Sequence, residues 1–157
     1  MSSLSLLLAC VVLASGCGPV TSHGGPVRDH VSFVDNLRGR GLTVEPIGQM
    51  LVAPFEVPAA GLAVHGGAVR GRVVMLSFDY SDTDLGRDGR RAAEDDANEI
   101  SQDLTRFRPQ SNAVPLPAGP THFYRRERVI VLYIGSDPSV LRVLVDLLGE
   151  QFAGVRS

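Results

Sequence analysis

Apolar residues along this chain recur in three different rhythms, and each predicts a different kind of element. Over 4–13 they run on almost without interruption for about ten residues, half the roughly 20 that a membrane-spanning helix requires. Over 29–38 they return at helical spacing: Asp29 can cap a helix whose Val31, Val34 and Leu37 form one apolar face, and Gly39 and Gly41 end it. A third, alternating rhythm marks strands. Residues 42–44 open one, after which Pro46, Pro54 and Pro58 predict edge or irregular segments. Residues 62–65 and 69–80 pair as a hairpin about Gly66-Gly67, where the absence of Cβ atoms permits a tight turn. In its longer arm Val74, Leu76, Phe78 and Tyr80 alternate on one face while Val73 and Met75 are apolar on the other, which predicts a central strand.

Helical spacing resumes over 92–107. Ala93, Ala97, Ile100, Leu104 and Phe107 form a narrow stripe, with Glu94, Asp95, Glu99 and Asp103 turned to water. A Pro-rich passage over 109–120 leads to a second hairpin, 121–124 and 129–134, whose later arm is apolar on both faces and rich in β-branched residues. Asp137 then caps a last helix with Pro138 at its first position, Val140, Leu141, Leu144, Leu147 and Leu148 inside, and Gly149 as its stop. The order of elements predicts one α+β domain over 29–157, a mainly antiparallel sheet of about five strands with helices packed mainly on one face.

The apolar run ends in Leu13-Ala14-Ser15-Gly16-Cys17, and the next segment, 18–27, carries Gly, Pro and small polar residues without period, as a flexible tether does. The run has the length of a signal-peptide core, small residues at Ala14, Ser15 and Gly16 admit a peptidase, and Cys17 offers a thiol for acylation. This pattern resembles the lipobox of bacterial lipoproteins. Ala14 stands where that pattern usually has Leu, and Met1-Ser2-Ser3 carries no Lys or Arg. The resemblance implies removal of 1–16, a diacylglycerol and palmitate anchor on Cys17, a tether over 17–28, and residence on the extracytoplasmic face of the cell membrane. An ordinary secretory signal cut nearby and an uncleaved anchor are the competing readings. Cys10 would leave with the signal peptide, so the mature domain would have no thiol for a disulfide, a nucleophile or a metal.

A second resemblance rests on His122-Phe123-Tyr124-Arg125-Arg126-Glu127-Arg128, the apolar run 129–134, Gly135 with Asp137-Pro138, and the tail 147–154, together with 33–38 and 43–46. These segments resemble a group of small uncharacterised bacterial lipoproteins and secreted proteins. That resemblance implies one α+β domain behind a lipid anchor and lends no catalytic residue.

Charge and chemistry narrow the picture further. The formal net charge is −2 and all 15 basic residues are Arg, so no basic field of the kind nucleic acid needs is present, and chemistry that depends on Lys is excluded. No nucleophile elbow, zinc-helix motif or phosphate loop occurs, and no cofactor is expected. His23, His30, His65 and His122 each stand alone at a tether, helix start, turn or strand end. Asp79, Asp82, Asp84 and Asp88 share a loop that a hard cation can use, but neither reading frame gives the EF-hand glycine and glutamate, and acids favouring the next helix N-terminus are the simpler account. Tyr124, Arg125, Arg126 and Arg128 make a basic turn that reads first as edge protection and second as a surface for anionic headgroups. Two functions follow. One is a non-catalytic envelope module, held by its lipid and bound to a partner protein or ligand. The other is an extracytoplasmic hydrolase whose groups come from distant segments, such as Asp79 or Asp82 with His122.

Overall fold

The computed structural model describes residues 24–81, 88–110 and 114–155. Strands β1 (Leu42–Met50), β3 (Ala59–Gly66), β4 (Val69–Asp79), β6 (Thr121–Arg126), β7 (Val129–Ile134) and β8 (Ala153–Gly154) form one sheet in the order β1-β3-β4-β7-β6-β8, and every neighbouring pair is antiparallel. Short strands β2 (Val52–Ala53) and β5 (Arg108–Pro109) pair separately. Helices α1 (His30–Gly39) and α3 (Pro138–Leu148) cover one face of the large sheet, and α2 (Gly89–Gln102) covers the other. The α+β architecture is therefore the one the alternating and helical rhythms imply, with two of these three helices on one side. Among the described residues no helix is long and apolar enough to cross a membrane.

The two faces carry two cores. On the first, Phe33 and Leu37 of α1 and Val140 and Leu144 of α3 pack on Leu62, Val64, Met75, Val131 and Tyr133. On the second, Ala93, Ala97 and Ile100 of α2 lie against Leu76, Phe78, Ile130 and Leu132. The alanines let α2 approach closely, and Phe55 fills the remaining space with its ring centroid 4.0 Å from that of Phe78. Each residue of β7 is buried, as a strand covered on both faces must be.

Local chemistry sets the ends of the helices. Asp29 Oδ1 accepts from Ser32 N at 2.8 Å while Ser32 Oγ accepts from Asp29 N at 3.1 Å, a reciprocal cap on α1. Asp137 Oδ1 accepts from Ser139 N at 2.8 Å ahead of α3. The first helix departs from the expected stripe: Val31 is 66% exposed, and Phe33 takes the inward position because the larger ring buries more apolar surface. Helix α2 stops at Gln102 instead of continuing to Phe107. Asp103 adopts extended backbone and caps a following 3-10 turn, Leu104–Arg106, which leaves Leu104 41% exposed while Phe107 still packs edge-on to Phe123.

Strand β1 runs past Pro46, longer than expected, because it is the outer strand and has no second ladder to lose. A bulge between Pro46 and Gly48 turns Ile47 over β3. There Gly61 leaves room for it: a Cβ at Gly61 would stand 2.9 Å from Val114 Cγ2 and 3.0 Å from Ile47 Cγ1. Gly61→Ala is expected to lower stability by about 1–3 kcal/mol through overpacking. Urea denaturation followed by circular dichroism measures this, and an unchanged midpoint would contradict the packing described.

Candidate functional site

Helix α1 meets the sheet at the point where β4 leaves it. Ser77 and Asp79 stand two residues apart on β4 and so share the face that α1 covers. His30 Nδ1 lies 3.0 Å from Ser77 Oγ, and the main-chain N–H of His30 donates to Asp79 Oδ2 at 3.3 Å. Beside these groups a cleft of about 390 Å³ opens toward the segment that follows β2, with Gln49, Glu56 and Pro58 on its far side.

A hydroxyl beside an imidazole is half of a nucleophile–base arrangement. The other half is an acceptor that orients the ring; Asp79 instead accepts the His30 main-chain N–H at Oδ2 and faces Arg128 with Oδ1. Ser77 is also only 1% exposed. The cleft is thus lined by hydrogen-bonding groups, and among the described residues no acceptor orients the His30 ring toward Ser77.

Arg128 ties this corner together. Its Nη2 donates to Asp29 Oδ2 at 3.3 Å and its Nε faces Asp79 Oδ1 at 3.6 Å. The two acids respond differently. Main-chain and side-chain hydrogen bonds from Ser32, with help from Arg128, hold the Asp29 carboxyl below the usual carboxylate range. Burial pushes the Asp79 carboxyl up, outweighing the His30 amide and the guanidinium.

The other wall depends on a buried acid on α2. Asp96, 5% exposed, accepts from Tyr80 Oη at 2.6 Å and from Glu56 N at 3.0 Å, both at Oδ2. One carboxylate thus joins α2, the end of β4 and the segment carrying Glu56. Burial raises its pKa against the pull of the Tyr80 and Glu56 bonds.

The residues singled out in the sequence fall in several places. Cys17, Asp82 and Asp84 lie outside the described residues, as does His23. Asp79 turns to His30 and Arg128, whereas Asp88 caps α2, accepting from Arg90 N at 2.9 Å and Arg91 N at 3.4 Å. The two described members of the loop thus spend oxygens on protein donors. Tyr124 is not part of a surface: β6 is covered on both faces, the ring is 1% exposed in the first core, and burial raises its hydroxyl pKa. Arg126 is exposed, Arg125 half-buried and Arg128 ion-paired. The pairing of Asp79 with His122 does not form. Along β7, Asp79 aligns with Val129 and His122 with Tyr133, at opposite ends of the strand. His122 instead bonds Gln151 Oε1 through Nδ1 at 2.8 Å and stacks on Tyr133.

Ser77 and Asp96 escaped the sequence reading. Asp96 had left a signal, since it sits three residues after Ala93 and four before Ile100, inside the apolar stripe.

Because the folded pKa of Asp96 is raised, the folded state holds that proton more tightly than the unfolded chain. The associated stability is complete below the unfolded value near 3.8 and is lost as pH rises through the folded value. Asp96→Asn keeps an acceptor for both donors and removes the titration. Its stability is expected to match or exceed the parent at neutral pH, with the difference disappearing below about pH 4. Asp96→Ala removes the carboxylate that accepts from the Tyr80 hydroxyl and the Glu56 amide and is expected to cost about 1–3 kcal/mol. Denaturation midpoints of the three chains across pH measure both effects. Compared with protein-family models, with curated proteins and with solved structures, the chain shows no match.

Proposed function

We propose that this chain is a membrane-anchored envelope lipoprotein, acylated at Cys17, whose α+β domain is a non-catalytic binding module. The cleft beside His30, Ser77 and Asp79 carries the binding half of this reading: it offers donors and acceptors from three elements, and no oriented relay is formed among the described residues. The anchoring half draws on the lipobox resemblance. It is supported by the close spacing of Cys17 and Val27, the first core residue described, and by the bond of 3.0 Å from Asn36 Nδ2 to Gly25 O that ties the entering chain to α1. The domain would then stand on the extracytoplasmic face, with the cleft open to an envelope protein or a small polar ligand.

Cys17→Ala is expected to abolish incorporation of a labelled fatty acid and to release the protein from the membrane fraction. Continued incorporation would remove the anchor from Cys17. For the cleft, a photocrosslinking residue at Gln49 in the native strain is expected to give one stoichiometric adduct, absent when the crosslinker stands at Asn98 on α2. Equal recovery from both positions, or from neither, would count against a binding cleft.

The contact of 3.0 Å between Ser77 and His30 favours a second reading, a serine hydrolase completed when substrate displaces the present hydrogen bonds. A fluorophosphonate probe discriminates the two. Labelling that disappears in Ser77→Ala supports the hydrolase, and an unlabelled protein retains the binding module.

A further inference from the structure

We propose that the end of the domain where the tether enters is a docking surface for anionic phospholipid, and this rests on the anchored reading given above. Three segments distant in sequence meet there. The Asp29–Arg128 pair at 3.3 Å joins the start of α1 to the β6–β7 turn, and the Arg90–Glu127 pair at 3.5 Å joins the first turn of α2 to the same turn. A shallow depression of about 420 Å³ lies among them, lined by Arg28, Asp29, Asp88, Arg90, Glu127 and Arg128.

The described acids Asp29, Asp79, Asp88 and Glu127 at this end are already engaged. Arg128 faces Asp29 and Asp79, Arg90 faces Glu127, and Asp88 is turned onto the amides of α2. Arg28, Arg91, Arg125 and Arg126 have no acidic partner among the described residues, and Arg28, Arg91 and Arg126 are exposed. Among the described residues this end therefore holds six arginines, Arg28, Arg90, Arg91, Arg125, Arg126 and Arg128, against four acids, Asp29, Asp79, Asp88 and Glu127, in a chain whose formal net charge is −2. Guanidinium groups match phosphodiester oxygens in a fork and are less strongly hydrated than ammonium groups.

The anchor reaches the same end. At no more than about 3.6 Å per residue, the ten steps from Cys17 to Val27 span at most about 36 Å, comparable to the diameter of a domain this size. An acyl chain at Cys17 thus keeps the domain within reach of the bilayer at high effective concentration, so weak contacts at the arginine end suffice to set the orientation. The cleft, lined by His30 and Asp79 of the same corner, would lie near the headgroup level, and the Tyr133 end of β7 would point away.

The test uses the full acylated protein in vesicles. Cys10 leaves with the signal peptide and Cys17 is acylated, so one introduced thiol carries the only dye. Dyes at Val31→Cys near the arginine end and at Val155→Cys beyond β8 report on opposite ends, both at exposed positions. With a headgroup quencher, the Val31 dye is expected to be strongly quenched in phosphatidylcholine vesicles containing roughly 30% phosphatidylglycerol, weakly in phosphatidylcholine alone, and weakly again at high salt. The Val155 dye is expected to stay bright throughout. Arg28→Gln, Arg125→Gln and Arg126→Gln together are expected to weaken docking roughly 100-fold, about fivefold for each charge.

Equal quenching in both vesicle types, preferential quenching at Val155, or a triple variant that docks as the parent does would overturn the proposal. The mass of the N-terminal peptide is read first, so the two proposals fail separately. If Cys17 bears no acyl group, the anchor reading falls, and docking is then decided by whether the secreted chain sediments with the anionic vesicles.

Discussion

The pairing of β4 with β7 in the middle of the sheet is the constraint on which the other elements depend. Met75 to Asp79 of β4 and Val129 to Tyr133 of β7 align residue for residue, and β7 has no face left to water. Such a pair is stable only if both faces are covered, which demands helices on both sides. The two covers are built differently. Phe33, Leu37, Val140 and Leu144 fill a thick layer on one side, and an alanine-faced helix lies close on the other, with Phe55 and Phe78 making up the lost volume. The buried polar residues Asn36, Ser77, Asp96 and His122 each make a hydrogen bond, as wholly unpaired buried donors and acceptors are costly. Asp96 is the acid among them, and it holds in place the segment bearing Glu56.

That rule also explains why the candidate site sits where it does. Toward Asp79, β4 runs beyond the body of α1, and the side chains facing the helix change from Met75 to Ser77 and Asp79. His30, the first residue of α1, meets them at the edge of the core. Polar groups collect where one layer stops short of another, and the cleft is the space this leaves.

Local features were legible in the sequence to the extent that they are settled locally. Asp29, Asp137 and Pro138 announced their helices, Gly66-Gly67 its turn, and the run 129–134 its burial, because caps, turns and periodicity involve neighbours a few residues away. The departures were settled at longer range. Phe33 displaced Val31 because the sheet offered more buried area to a ring, and Pro46 remained in a strand because that strand lies at an edge. Tyr124 sits in a charged turn by sequence but in the core by topology. The site was less legible still: His30 and Ser77 are 47 residues apart, and Glu56 and Asp96 are 40 apart, so no spacing rule connects them.

Strand β8 carries a consequence for how the molecule is made. It contributes two residues, yet it closes the outer side of β6, and Gly154 is required there because any side chain would collide with the carbonyl of Thr121. These residues follow every other strand of the sheet along the chain, so they emerge from the ribosome after all their sheet partners. Until they arrive, a nearly complete sheet offers an open strand to other chains, the situation in which edge-to-edge aggregation begins. Arg125 and Arg126 lie on that strand past the reach of β8, and their like charges discourage two such intermediates from pairing during the interval before β8 docks.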